Sequence, residues 1–401
     1  MTIRRVSGEE ILTLSHPLRA YAFDASPKVA DHDELRRTWL PYQEGSRTLV
    51  VEEDGTALAT ATAIPMRQNL RGRVLPMAGV AGVASHPLAR RQGHVKKLLH
   101  HLLDEAHDEG QLLSALYPFR PSFYERFGYV GVPAPRTVTF PVADLAALLR
   151  AELPGEVTWG RTGTGYDEYS AFLDRCLGEW HGFAVFPERR RVWVRDDDSR
   201  WLVTARVDGV TEGLLTYRID DHGGTVHADG LLALSPLART LLLQFLARHV
   251  DQVDRVSVVV APGELPELWL TDLAVVCETR VTRPDHSAPM VRLLSTDALA
   301  GLPAGAGRCR VELTGDRWLA GTYLLDGTTG HLEVLPGTTG TAGGAATPTA
   351  TLTAAGLSAL AYGVLDPAEV VVRGLGAVPA DAVGELRRLF PRELPYLHAG
   401  F

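Results

Sequence analysis

Cysteine is nearly absent from this chain. Cys176, Cys277 and Cys309 lie far apart, and no CxxC pair occurs. That excludes a disulfide framework and a cysteine-rich zinc centre, and it fits a reducing compartment. Lysine is scarcer still: Lys28, Lys96 and Lys97 are the only lysines among 40 basic residues. This arginine bias reads as genome composition, not as function. Long apolar runs are missing too. The longest stretch without a charged residue, between Glu333 and Asp366, is broken by glycines and prolines and is too polar to span a bilayer. The opening MTIRRVSGEE has no apolar segment after its charges, so no secretory leader is expected, and the reading is of a soluble, cytoplasmic protein without a membrane partner. An excess of cationic charge is also lacking. Forty Lys and Arg against 48 Asp and Glu leave a net charge of −8, which argues against broad binding of nucleic acid and mildly favours amines. No GxxxxGK[ST], GxGxxG or GxSxG occurs, and no cysteine adjoins a histidine.

What is present belongs to a folded chain, with 45% apolar and 22% charged residues. At roughly 150 residues per domain, a chain of 401 residues implies two or three domains. One grammar occurs twice. Residues 74–85 read as a buried strand. The helix expected over 91–109 then carries Val95, Leu98, Leu99, Leu102, Leu103 and Ala106 on one face, and a strand follows at 112–117. Later, a strand at 225–234 leads through Ser235-Pro236, an N-cap and first-turn proline, into a helix with Ala238, Leu241, Leu242, Phe245 and Leu246 on one face; 255–262 is the next strand. Two strand–helix–strand units imply a duplicated α/β domain. After about residue 290 short strands at 309–315, 318–326 and 331–336 precede a low-complexity loop at 337–349, helices around 354–362 and 381–390, and an extended tail.

The chemistry concentrates between Val83 and Val95. A strand ends at Val83-Ala84-Ser85, and a turn follows with Arg90, Arg91 and Gly93. A helix then begins at His94-Val95. Successive N–H groups at a helix start, a glycine permitting close approach and two guanidinium groups form an anion cradle; the bland alternative is a connection with solvated arginines. Past the next strand lies Phe123-Tyr124-Glu125-Arg126-Phe127-Gly128-Tyr129. Tyr124, a phenol with a pKa near 10, can donate a proton; otherwise it packs in an aromatic cluster. Asp196-Asp197-Asp198 reads as an exposed turn. The His100-His101 pair is splayed about 100° around its helix, so no metal site is expected.

Arg90-x-x-Gly93-x-Val95 resembles the acyl-CoA signature of the GNAT N-acetyltransferases, with Val95 where that signature has Gly or Ala. Tyr124 to Tyr129 resembles their thioester-side segment. With the length, the second α/β unit lacking the signature, the α+β tail and the last residue Phe401, the whole chain resembles the Eis (enhanced intracellular survival) family. The resemblance implies α/β and α+β architecture: a catalytic GNAT domain (1–145), a central GNAT-like domain (146–290) and a C-terminal sterol-carrier-protein-like α+β domain (291–401). It implies acetyl-CoA as donor and no metal. It also implies a homohexamer that acetylates primary amines of a multi-amine, aminoglycoside-like small molecule by direct transfer in a ternary complex. Tyr124 would be the acid and the α-carboxylate of Phe401 the base. Backbone at Val83, Ala84 and Ser85 would hold the pantetheine arm, Arg90, Arg91, Gly93, His94 and Val95 the pyrophosphate, and Phe23, Asp24 and Trp39 the acceptor. The central domain, offering Ser235-Pro236-Leu237-Ala238-Arg239 instead of the signature, is expected not to bind CoA. A protein-lysine or polyamine acetyltransferase, or a silent CoA- or lipid-binding protein, remain alternatives at this stage.

Overall fold

The computed structural model describes residues 1–24, 31–282, 287–337 and 347–401. The chain opens with β1 (Thr2–Val6), α1 (His16–Phe23), α2 (His32–Thr38), β2 (Arg47–Glu53), β3 (Thr56–Leu70), β4 (Arg73–Ser85), α3 (His94–Asp108), β5 (Leu113–Leu116), α4 (Pro121–Glu125) and β6 (Val130–Gly131). A two-residue turn, Arg71-Gly72, closes the long β3–β4 hairpin, with both residues at positive φ (50° and 88°) as the strand twist requires. Arg71 tolerates this conformation because its guanidinium donates to the carbonyls of Ala361 and Pro391, each at 2.6 Å. Helix α3 buries the face its apolar spacing predicts, Leu98, Leu99, Leu102, Leu103 and Ala106. It starts at His94 rather than Arg91 because Arg91 (φ 63°) and Gly93 (φ 84°) are left-handed.

The middle of the chain holds β7 (Arg136–Pro141), β8 (Glu156–Arg161), α5 (Tyr166–Glu179), β9 (Ala184–Val185), α6 (Glu188–Arg191), α7 (Trp193–Asp197), β10 (Trp201–Val207), β11 (Val210–Ile219), β12 (Thr225–Ala233), α8 (Pro236–Ala247), β13 (Arg255–Val260) and β14 (Val276–Glu278). Ser235 caps α8, its hydroxyl accepting from the Ala238 N–H at 3.3 Å. The last part holds β15 (Met290–Leu293), β16 (Arg308–Thr314), β17 (Gly321–Asp326), β18 (Glu333–Pro336), β19 (Thr349–Thr353), α9 (Ala354–Ala361), α10 (Pro367–Val372), β20 (Gly376–Ala377) and α11 (Ala380–Leu389).

Three sheets result. The first runs β1-β2-β3-β4-β5-β15-β6, with β9 beside β3; the second runs β14-β7-β13-β12-β11-β10-β8; the third runs β18-β17-β16-β19-β20. In the first two, a single parallel pair brackets a helix: β4–β5 around α3 and β12–β13 around α8. The same slot beside that pair is filled in each sheet from across the chain. β15, which follows the second sheet in sequence, lies between β5 and β6, and β7, which precedes that sheet's other strands, lies between β13 and β14. Sheet membership therefore departs from divisions at 145 and 290: β7 leaves the first segment, while β9 and β15 join the first sheet. The third sheet and its helices share one apolar core with the first sheet, whereas the second sheet and α8 have their own.

Local readings shift for identifiable reasons. The strand expected from 318 begins at Gly321 because the Asp316 carboxylate accepts from the N–H groups of Trp318 and Leu319 at 3.0 and 3.1 Å and turns the chain. The acidic turn at 196–198 is instead the end of α7, with Asp198 left-handed at φ 42°. Most of the expected low-complexity loop, 338–346, lies outside the described residues, and β19 starts at its far end. Beyond Pro391 the chain is neither helix nor strand, as its composition predicts.

Candidate active site

The site grows from a place where two strands part. β4 pairs with β5 from Met77 to Val80 and no further, so the backbone edge of Ala81–Ser85 has no strand beside it. A β-bulge in the β3–β4 register, with Gly82 at φ 58°, bends this segment outward. At the end of the parted strand, Gly93 takes φ 84° as the N-cap of α3, and no side chain caps the helix. The first-turn N–H groups are thus left to face the opening. Arg90, stacked over Tyr21 at 5.6 Å, and Arg91 are exposed around it. His94 is buried: its Nε2 lies 3.2 Å from Gln92 Oε1, and its Nδ1 is shut from solvent without a partner among the described residues.

A cavity of about 1930 Å³ opens along this segment. Val83, Ala84, Ser85, Arg90, Arg91, Gly93, His94 and Val95 line it, and so do Tyr124, Phe401 and Phe23. Its far wall is built by Thr137 and Thr139 of β7 with Ser257 and Val259 of β13, so the second sheet contributes to the same cavity. Tyr124 sits on α4 among Phe119, Phe123 and Tyr129, with ring centroids 5.3, 5.1 and 6.2 Å away. Burial, with the Tyr129 phenol beside it, pushes the Tyr124 phenol well above its ordinary 10, so it holds its proton at neutral pH.

Phe401 reaches the cavity because the tail is pinned along its length. The Tyr396 N–H donates to the His181 carbonyl at 2.8 Å, and the Tyr117 hydroxyl donates to the Ala399 carbonyl at 3.1 Å. The Phe401 ring meets Tyr117 edge-on at 5.5 Å and lies over β4, where a Cβ on Gly79 would stand 3.3 Å from it. Tyr117 and the tail contacts have no motif of their own. Tyr117 ends the expected strand at 112–117, and position at a strand end was its only signal.

The three residues expected to hold the acceptor are not gathered on one wall. Phe23 lines the large cavity, Asp24 lines neither cavity, and Trp39 lines a second cavity of about 520 Å³. The tail divides the two spaces, with Gly400 touching both. In the second sheet, β12 pairs with β13 only from Thr225 to Ala228. Beyond that point the tail takes the room: a Cβ on Gly230 would lie 3.1 Å from His398, and Tyr396 packs with Leu214 and Leu232. Arg239, the one arginine at the start of α8, is paired with Glu264 at 3.2 Å. Burial lowers the His398 imidazole to about 4, so it sits neutral against Phe183, ring to ring at 5.3 Å. Among the described residues no three His, Cys, Asp or Glu side chains are grouped to hold a metal, and no helix is long and apolar enough to cross a membrane.

Residues 2–131 match the acetyltransferase (GNAT) domain family, and residues 172–293 match a second family of the same description. The chain is similar to an uncharacterized N-acetyltransferase of Streptomyces griseus, 27% identical over 320 residues, a span covering 71% of this chain and 74% of that one. It is similar in structure to a GCN5-related N-acetyltransferase from Kribbella flavida, with a TM-score of 0.78 and 23% identity over 100% of this chain and 98% of the other. Eis1 from Mycobacterium abscessus aligns with a TM-score of 0.78 and 20% identity over 100% of both chains. The two structural likenesses establish the fold from end to end. The chain is thus an acyltransferase of the GNAT class, with two such domains in tandem, a class that uses acetyl-CoA. With Eis1 it shares the fold along its whole length.

Proposed function

We propose that this protein transfers the acetyl group of acetyl-CoA directly to a primary amine of a small molecule, in a ternary complex. The observation that carries the reading is the single cavity lined by the parted strand β4, the uncapped start of α3, Tyr124 and Phe401. The free edge of Val83–Ser85 can pair with the amide groups of a pantetheine arm as an added strand. The α3 N-terminus with Arg90, Arg91, Gly93 and His94 suits a pyrophosphate, and Val95 lies beside it.

The chemistry follows from charge. An ammonium cannot attack a thioester, so the Phe401 α-carboxylate, ionised at neutral pH, takes its proton. The neutral nitrogen adds to the thioester carbonyl, the C–S bond breaks, the departing thiolate receives the Tyr124 phenolic proton, and the proton the nitrogen sheds on becoming an amide restores the phenol. Amide and CoA thiol leave. Multi-amine aminoglycosides are the first acceptors to try, with polyamines and a lysine peptide beside them. A homohexameric assembly and a sterol-carrier-like role for the third sheet unit belong to the same proposal.

Thiol release from acetyl-CoA tests it, with native protein run beside a version extended by several residues after Phe401. Release on an amine that is lost in the extended form is the expected result. Equal release in both removes Phe401 from the mechanism, and no release on any amine overturns the reading.

A further inference from the structure

The second cavity, on the far side of the tail from the parted strand, has an unusual charge balance. Most charged side chains around it are already satisfied. Arg191 is held by Asp174 at 3.2 Å and Glu188 at 2.9 Å, and Arg200 by Asp229 at 2.6 Å. Arg190 is not. Its guanidinium lies over the Phe186 ring at 5.1 Å and reaches only the Tyr42 carbonyl, at 3.5 Å, with no ion-pair partner among the described residues. Behind Trp39, on the same wall, stands a second guanidinium. Arg19 stacks over that indole at 5.2 Å and presses on β4, where a Cβ at Gly82 would come within 2.8 Å of it. Its Nη1 is shut from solvent without a hydrogen-bond partner among the described residues.

These two cations are close enough to repel each other. Burial depresses both, that of Arg19 to about 10, and among the described residues the carboxylate offsetting Arg19 is the exposed Asp24. Unpaired, desolvated cations are costly, and a bound anion recovers that cost. A polycation would meet these two with like charge, and Asp197 is the one carboxylate lining the cavity without an ion pair among the described residues. Two ring contacts, Arg190 to Phe186 at 5.1 Å and Phe186 to Phe401 at 6.3 Å, join this spot to the end of the tail. The cavity volume, about 520 Å³, is that of a small-molecule pocket.

We propose that the acceptor is a small amine that also bears a carboxylate, gripped by Arg190 with Arg19 behind it while its amine is offered at Phe401. This rests on the acetyl-transfer reading above and narrows its substrate to amino-acid-like molecules. A planar guanidinium matches a carboxylate through two parallel N–H donors, which a lysine could not supply.

The experiment measures acetyl-CoA thiol release on matched pairs that differ only in the carboxylate: lysine and cadaverine, β-alanine and ethylamine, phenylalanine and phenethylamine. An aminoglycoside runs alongside. The expected result is that, in at least one pair, the acid is turned over tenfold or more better in kcat/KM, mainly through KM. In Arg190→Gln that ratio falls towards one, and in Arg190→Lys part of it survives. Preference for the decarboxylated member in every pair, or for the aminoglycoside over all acids, overturns this inference and leaves acetyl transfer standing. A ratio unmoved in a folded Arg190→Gln protein overturns it as well. Silence with every amine overturns acetyl transfer itself, and this inference with it.

Discussion

Tyr124 shows how burial, with a second phenol close by, holds a proton on one side chain. Its ring is wedged among three aromatic neighbours, and its phenol is raised far enough that ionisation does not compete within the working pH range. Tyr124→Phe keeps the ring packing and removes the proton. It is expected to cut kcat by roughly 10²-fold or more with acetyl-CoA affinity unchanged, and native enzyme should show no alkaline fall in kcat assignable to this phenol below pH 10. Steady-state kinetics beside acetyl-CoA binding by calorimetry checks both, and near-normal kcat in the variant removes Tyr124 from the acid role. At this scale, residues within short motifs were legible: the turn from Arg90 to His94 and the segment after Tyr124 carry chemistry in their spacing. Arg19 and Arg190 were not. An arginine held without an ion pair is a property of its folded surroundings, since the two lie 171 positions apart and nothing in their neighbours announces the meeting.

Among the elements, the tail is the one whose position decides most, and a glycine admits it. Gly182 has φ 83°, and a Cβ there would stand 2.5 Å from Pro395 and 2.7 Å from the Tyr396 nitrogen. Gly182→Ala therefore combines left-handed strain of about 1 kcal/mol with a backbone clash. The expected outcome is a tail lifted from His181, a kcat at least tenfold lower and donor affinity retained, because the parted strand and α3 lie elsewhere. Kinetics with a thermal melt checks it; unchanged kcat would show that docking of the tail is not needed. Helix α3 was readable from its 3.6-residue period, and α8 from Ser235-Pro236. Helix α7 and strand β19 were not, because polar composition masks a five-residue helix, and the five-residue alternation of β19, with only Ala350 and Leu352 on its apolar side, merges with the run of small residues before it.

For the whole molecule, the proposed homohexamer is open to a direct measurement. Light scattering at micromolar concentration should give about six times the single-chain 43.5 kDa, and a mass near one chain would remove the hexamer. The doubled strand–helix–strand grammar was visible in the sequence because each half repeats its own apolar period. The crossing of β7 and β15 was not, because pairing across some 150 residues is set by which slot a strand fills. That crossing has a bearing on the history of the chain. Two halves that merely sat side by side could have been separated again into independent genes, lost singly or recombined with strangers. Here each half completes the other's sheet, so a cut between them leaves two unfinished sheets. The pair is bound to be inherited as one, and a central domain whose own cleft holds the tail can persist for what it lends its neighbour.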